Sequence, residues 1–282
     1  MIANKYSIIS KIGEGQFSNV YKGKYKKNDE FVAIKTESIE SPIQLLKHEA
    51  RILNYINSKQ SSNVPFVYWY GIHEHIPTLI MPLYETSLED YYTNRTVSKK
   101  NHLLYIVKII NILSFIHECG VIHCDIKPEN FMIKQDNLFL IDFGLSSIYV
   151  NEHLQPFPPK KESVFITGTP KFISLNIHNG ITASRRDDLI SAIYIYIYMV
   201  KKKRLPWLNV QDKQDGYSPN HINHFKNVER KRIKNDHFNN LNSQSIEKKI
   251  LEHLMTISFV EKPHYQWMMS LFQEEIYKYD IC

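Results

Sequence analysis

The periodicity of the apolar residues changes once along the chain, and that change constrains the fold more than any other feature. Residues 6–36 contain YSIISKIG, NVYKGKY and EFVAIKT, alternating runs rich in β-branched and aromatic side chains and broken by Gly and Asn-Asp. That is the pattern of an antiparallel sheet. From SPIQLLKHEARILNYI at 41–56 the period becomes helical, with Ser41 as a candidate cap and Pro42 in the first turn. FVYWYGI and TLIMPLY add two strand-like runs, HLLYIVKIINILSFIHECG predicts a long helix ending at Gly120, and from about residue 85 the pattern stays mainly helical. The expected class is α+β: a small antiparallel sheet lobe with one main helix over about residues 1–83, and a larger, mainly helical lobe over 84–282. Such a joint between two lobes is where a ligand cleft is expected.

A chain of 282 residues with 43% apolar and 23% charged content can bury two sizeable cores, which excludes a disordered chain. LISAIYIYIYMV at 189–200 is too short for the roughly 20 residues of a membrane span and lies between Asp188 and Lys201, so it reads as a buried core helix. The start, MIANKYSIISKIGEG, has no secretory pattern. Cys119, Cys124 and Cys282 form neither a metal spacing nor an even disulfide set, as expected in a reducing compartment. The net charge of +6 favours acidic peptides, phosphate or nucleic acid without choosing among them. FKNVERKRIKN at 225–235 has no aromatic set for stacking bases and reads as a solvated helix; KKKR at 201–204 reads as a solvated helix end.

Chemistry enters with the loop IGEGQFSNVYKG. Gly13 and Gly15 have the spacing of a phosphate-covering G-x-G-x-x-G-x-V loop, with Ser18 in the third glycine's place and Val20 last. Alone, this fits hairpin turn chemistry equally well. VAIK then puts Lys35 on the next strand, where an ammonium can reach phosphates, and Glu49 in the following helix can pair with it. VIHCDIKPENFMI at 121–133 carries His123, Asp125, Lys127 and Asn130 in the order H-x-D-x-K-x-x-N: a carboxylate for the substrate hydroxyl's proton, a lysine for charge on a transferring phosphoryl group, and an asparagine for a metal. The apolar strand LFLI next delivers Asp142, Phe143 and Gly144, whose carboxylate suits Mg²⁺ bound to phosphates.

This ordered set resembles a eukaryotic-type protein kinase, and Lys127 after Asp125 resembles its serine/threonine branch. TSLEDYY at 86–92, TGTPKFISLNIHNGITASRRDDL at 167–189, LPW at 205–207 and EKPHYQWMMSLF at 261–272 are similar to the casein kinase I family, in which a Ser-x-Asn sequence, here Ser174 to Asn176, replaces Ala-Pro-Glu. The likeness covers about residues 6–275; residues 208–260 match poorly.

The resemblance implies a single bilobal protein kinase domain over 1–282 that transfers the γ-phosphoryl group of Mg-ATP to serine or threonine hydroxyls of proteins, with acidic or pre-phosphorylated substrates preferred. It implies an ATP site made of Ile12, Gly13, Glu14, Gly15, Gln16, Phe17, Ser18, Asn19 and Val20, with Ala33, Lys35, Glu49, the gatekeeper Met81 and the hinge residues Pro82 and Tyr84. Catalytic roles fall to Asp125, Lys127 and Asn130, metal binding to Asn130 and Asp142, and anchoring of the catalytic loop to Asp188. Arg185 and Lys171 are implied as an anion site for the substrate; the alternative is that Arg185 braces its helix by pairing with Asp187 or Asp188. A monomer in the cytoplasm or nucleus, without membrane or nucleic-acid partners, completes the expectation; the Asn-, Lys-, Ile- and Tyr-rich composition suits an AT-rich genome, and a viral origin would put the enzyme in a host cell.

Two rivals stand beside it: a pseudokinase that binds nucleotide or acts as a scaffold, and a small-molecule phosphotransferase of the same fold. Cys124 is the main departure, because many kinases have an arginine there that clamps a phosphorylated activation loop. Cysteine cannot form that pair, so control by loop phosphorylation is expected to be absent; the thiol is either a packed filler or a redox sensor.

Overall fold

The computed structural model describes every residue except 16–17, 39–43, 61–62, 159–162, 212, 214 and 282, with the side chains of 280 and 281 also left out. Ser41, Pro42 and Cys282 therefore lie outside the described residues, as do Gln16 and Phe17. The chain divides into two compact units, residues 1–87 with 131–146 and residues 88–130 with 147–282.

The first unit is built on a five-stranded antiparallel sheet: β1 (Tyr6–Glu14), β2 (Ser18–Tyr25), β3 (Phe31–Glu37), β4 (Trp69–His73) and β5 (Ile76–Pro82), in the order β1-β2-β3-β5-β4. Its register sorts the side chains by face, because cross-strand partners point the same way. Tyr21, Ile34, Ile80 and Trp69 share one row, and Ile34, Ile80 and Val32 pack there with Ile2 and Tyr6. The opposite face carries Val20, Lys35 and Leu79 in one row and Ala33 beside Met81 in the next. That face receives α1 (Leu45–Asn57), through Leu46, Ala50, Leu53 and Ile56.

Glu37, buried at the end of β3, caps α1. Its carboxylate oxygens accept from the backbone N–H groups of Leu45 (2.8 Å) and Leu46 (3.3 Å), satisfying two of the orphan donors of α1 and favouring the positive end of its dipole. The short β6 (Thr86–Ser87) pairs with β8 (Phe131–Lys134), which pairs with β9 (Asn137–Leu140); β7 (Val121–Ile122), between them in the chain, belongs to the second unit.

The second unit is mainly helical. In it are α2 (Leu88–Asn94), α3 (Lys99–Glu118), α4 (Leu175–His178), α5 (Arg185–Val200), α6 (Phe225–Asn239), α7 (Ile246–Thr256) and α8 (Tyr265–Ile281), with β7 laddered to β10 (Ser147–Ile148). Ser98 caps α3 by accepting from Asn101 N–H at 3.1 Å. α3 packs on α5 and α8 with Ile106, Ile109, Ile110, Leu113 and Ile116 fully buried, each worth about 2 kcal/mol relative to exposure. α5 contains the apolar run 189–200 as a core helix, and no helix among the described residues is long and apolar enough to cross a membrane. The α+β class with its sheet unit and helical unit is thus the one read from periodicity.

Candidate active site

In the first unit the sheet register and α1 bring three charged side chains together. Lys35 Nζ lies 2.7 Å from Glu49 Oε2 and 2.7 Å from Asp142 Oδ1. Burial alone would lower the Lys35 pKa, but the two carboxylates outweigh it and hold the ammonium above the ordinary lysine range. Burial pushes the Glu49 carboxyl up, and Lys35 pulls it the other way. Asp142 sits in the left-handed region (φ 66°), a conformation that Asp tolerates and that recurs at functional sites.

The expected nucleotide loop joins β1 to β2, closed by Gly15 N–H donating to the Ser18 carbonyl at 2.7 Å. Gly13 and Gly15 have no left-handed φ, and a Cβ on either would make at worst a 3.3 Å contact, with Ser18 Oγ. Ser18 also has no positive φ, so replacing the third glycine strains nothing here. Ile12 is exposed, Glu14 pairs with Lys11 at 2.7 Å, and Asn19 and Val20 begin β2. Ala33 and Met81 are directly opposed across β3 and β5; Pro82 ends β5, and Tyr84 stacks on Phe139 at 4.7 Å.

The second unit carries the loop expected to be catalytic. Asp125 is buried, and both its oxygens are held: Oδ2 accepts from Lys127 Nζ (2.6 Å) and Asn130 Nδ2 (3.2 Å), while Oδ1 accepts from Thr169 Oγ1 (2.7 Å). Lys127 also donates to Thr169 at 3.3 Å. Asn130 Nδ2 donates to the Asp125 carbonyl at 2.8 Å, which fixes the amide and leaves its oxygen as the acceptor that a hard cation takes. The loop hangs from α5: Asp188 accepts from the N–H groups of His123 (2.8 Å) and Cys124 (3.0 Å), and His123 Nδ1 accepts from Asp125 N–H. Asp188 thus anchors the loop backbone.

Cys124 has φ 68°, is buried, and has its sulfur near the Ile122 carbonyl and the Ser147 hydroxyl. Burial pushes its thiol far above the ordinary range, with Asp188 adding to the effect. An inert filler, not a redox sensor, is what such surroundings make.

Segment 168–178 is fastened by groups of the chain's own interior. Gly168 (φ 89°) passes the catalytic loop so closely that a Cβ would come 2.4 Å from the Cys124 carbonyl oxygen, so only glycine fits. Ser174 Oγ (2.6 Å) and Asn176 Nδ2 (3.0 Å) both donate to Asp187 Oδ1, which gives the Ser-x-Asn sequence its physical role. Buried Trp207, of LPW, donates its indole N–H to the Lys171 carbonyl at 2.7 Å.

Lys234, only 1% exposed, donates to the Pro170 (2.9 Å) and Ile173 (2.7 Å) carbonyls and meets His178 Nε2 at 3.1 Å, with the rings of Tyr194 and Trp207 within 6 Å. Thr169 and Lys234 escaped the sequence reading. Thr169 was visible only as part of TGTPKF, and Lys234 sits in a run of charges whose pattern is that of a solvated helix; α6 is a helix there, but this side chain points inward.

Arg185 departs from both expected roles. Its guanidinium is buried, stacks on Tyr149 (4.9 Å), and donates to the Tyr149 hydroxyl and the Val260 carbonyl; it bonds to neither Asp187 nor Asp188. The fork expected to take a phosphate is spent on tying α5 to the loop before α8. Lys171 is exposed.

A family model for the protein kinase domain matches residues 6–268. The chain belongs to the protein kinase family, enzymes that transfer phosphoryl groups from ATP with Mg²⁺ to proteins, and its five-stranded sheet unit and helical unit are those of that fold.

Proposed function

We propose that the chain is an active serine/threonine kinase of casein kinase I type, a single kinase domain over 1–282 working in the cytoplasm or nucleus as a monomer. The observation that supports it most is Asp125 held on one oxygen by Lys127 and on the other by Thr169. Those donors aim a carboxylate to receive a hydroxyl proton, and Lys127 remains beside it to offset charge on the transferred group. Mg-ATP, when bound, supplies the phosphoryl group and the charge neutralisation that makes it transferable.

The residues present fit it. Lys35, aligned by Glu49, would offer an ammonium to phosphate oxygens; Asp142 in the first unit, whose side chain is 41% exposed, and the Asn130 amide oxygen in the second are each of the hard-oxygen type that a cation would take. Gly13 and Gly15 would cover the phosphates, and the opposed Ala33 and Met81, with Pro82 and Tyr84, would frame the base. Segment 168–178 is held by Asp187, Trp207 and Lys234 without a phosphate, which supports activity independent of activation-loop phosphorylation. For acidic or pre-phosphorylated substrates the exposed Lys171 is the remaining candidate of the two cations expected to bind them.

The test is phosphorylation of a serine-, threonine- and tyrosine-containing peptide library with Mg-ATP. Transfer to serine or threonine in acidic contexts is the expected result. Binding of Mg-ATP without transfer to any peptide or protein would replace this reading with that of a pseudokinase.

A further inference from the structure

The second unit holds a cavity of about 710 Å³ that none of the candidate site residues lines. It is bounded by the end of α2, the start of α3, the end of α5 with the turn after it, and the last turns of α8. Buried Leu103 and Met199 and half-buried Tyr92 and Tyr196 make an apolar, aromatic wall. The rim is cationic. Arg95 lies over the Tyr91 ring at 4.9 Å, and Lys203 Nζ is 2.5 Å from Glu89 and also bonds the Thr93 hydroxyl, but Lys99 and Lys202 are exposed with no carboxylate at ion-pair distance among the described residues. The lining carboxylate Glu275 is 2.6 Å from Lys278. Positive charge is therefore in surplus around an apolar floor.

The backbone of the turn adds an independent observation. Lys202 and Lys203 both have positive φ, 51° and 65°, and Lys203 N–H closes α5 on the Tyr198 carbonyl at 2.8 Å. Such a closure favours glycine at the left-handed position. Lysines occupy it instead, at a cost in local conformational energy, and they stand on the cavity's rim; strained positions of this kind cluster at ligand clamps.

We propose that this cavity docks an acidic segment of a protein substrate: an apolar or aromatic residue seats against Leu103, Met199 and Tyr196, and flanking carboxylates or phosphoserines meet Lys99 and Lys202. The word substrate rests on the kinase reading; the binding itself does not. The volume suits a short peptide stretch. A long nucleic acid fits worse, because Glu275 interrupts the basic rim and Glu89 takes up Lys203. Docking here raises the local concentration of a protein without touching the reacting groups, so it acts on KM and leaves kcat alone.

The probe is a fluorescein-labelled peptide, Glu-Glu-Asp-Phe-Glu-Asp-Leu-Glu, compared by anisotropy with its Gln/Asn counterpart. The acidic peptide should bind the wild-type chain at least about tenfold more tightly than the neutral one, and than it binds the Lys99→Glu/Lys202→Glu double variant. Appended to a substrate peptide, the same segment should lower KM about tenfold in the wild type and not in the double variant, with kcat and the turnover of the unappended substrate unchanged. Lys202→Gly should raise Tm while weakening the acidic peptide. Equal affinity of that peptide for wild type and double variant, stronger displacement by oligothymidylate than by the unlabelled peptide, or a Lys202→Gly variant with unchanged binding would each overturn the proposal. Anisotropy needs no catalysis: an inactive chain that binds the peptide refutes the kinase reading alone, and an active one that does not bind it refutes the docking site alone.

Discussion

Two lysines, half-buried Lys35 in the first unit and fully buried Lys234 in the second, hold their surroundings by different means. Lys35 meets two carboxylates at 2.7 Å each; Lys234 meets two backbone carbonyls and an imidazole nitrogen. Burial disfavours charge on both. For Lys35 the carboxylates reverse that and hold the ammonium above the lysine range, whereas Lys234 is left well below it, with Arg230 adding to the effect. The first lysine sits among charges that an incoming phosphate can share, so it is suited to bind and release. The second has its side-chain nitrogen within hydrogen-bond reach of three fixed neighbours, which suits a strut. Chemistry and scaffolding use one residue type here, and the partners decide which.

The largest effects should come from the reacting groups. Asp125→Asn keeps the shape but removes the proton acceptor, and should cut kcat at least about a hundredfold, about 2.7 kcal/mol, with ATP affinity nearly unchanged. Lys35→Met should lose turnover similarly and also weaken ATP, since it strips the partner from Glu49 and Asp142. Steady-state kinetics with nucleotide titration separate the two; a Lys35→Met enzyme with wild-type ATP affinity would break the assignment of Lys35 to the nucleotide.

Lys234 should behave otherwise. Lys234→Met orphans two carbonyls and His178 Nε2 inside the fold, each orphan costing on the order of 1 kcal/mol, so the segment at 168–178 loosens. The expected result is about a tenfold loss in kcat/KM for peptide with ATP affinity intact, and faster proteolysis within 168–178. Lys234→Arg should not rescue it, because a planar fork cannot meet acceptors converging on one point.

The pH dependences should differ in sign. A lysine whose pKa is depressed on folding binds more protons unfolded, so its contribution to stability rises with pH up to about 10.4; one whose pKa is raised contributes fully below about 10.4 and loses it above. Urea denaturation from pH 8 to 10 should therefore show the stability gap between wild type and Lys234→Met shifting in favour of the wild type as pH rises. The gap to Lys35→Met should stay flat over that range. Parallel behaviour of the two would erase the contrast.

Arg185→Ala comes next. Because the guanidinium stacks on Tyr149 and bonds the Val260 carbonyl inside the fold, its loss should lower stability by about 1–3 kcal/mol and reduce turnover equally on acidic and neutral peptides. A selective loss on acidic peptides, with Tm unchanged, would return Arg185 to the anion site first expected for it.

Much of the first unit was legible because its signals are local. Alternation marks strands, so Lys35 could be placed on its strand, and the VAIK motif with the helix after it made Glu49 its candidate partner. The Asp125 loop was legible for a related reason: its residues are within six positions of one another. What escaped was long-range. Glu37 caps α1 from eight residues away, Thr169 reaches Asp125 across 44 positions, and Lys234 reaches Ile173 across 61. No local pattern encodes such contacts, and a lysine among Arg, Lys and Asn looks like surface until the helix is docked. Arg185 misled for the opposite reason: its neighbours in sequence are acidic, but its partners in space are a tyrosine and a carbonyl.

The smallest effect should be that of phosphate. Cys124 holds a buried, left-handed position with its backbone N–H on Asp188, and its thiol has no charge to offer a phosphorylated loop. Gly168 passes within contact of its carbonyl, and the rest of the segment is tied to Asp187, Trp207 and Lys234. A segment already ordered by these groups gains little from another tie, since a switch needs two states of comparable free energy. Enzyme treated with phosphatase should therefore keep its rate within about twofold, and Cys124→Arg should not raise it. In the Lys234→Met background, where the internal strut is gone, phosphorylation of the segment has room to matter, and phosphatase should have a larger effect than in the wild type. A loss well beyond twofold in wild-type enzyme on dephosphorylation, restored by rephosphorylation, would mean that the internal ties do not suffice and that a phosphate partner other than residue 124 exists.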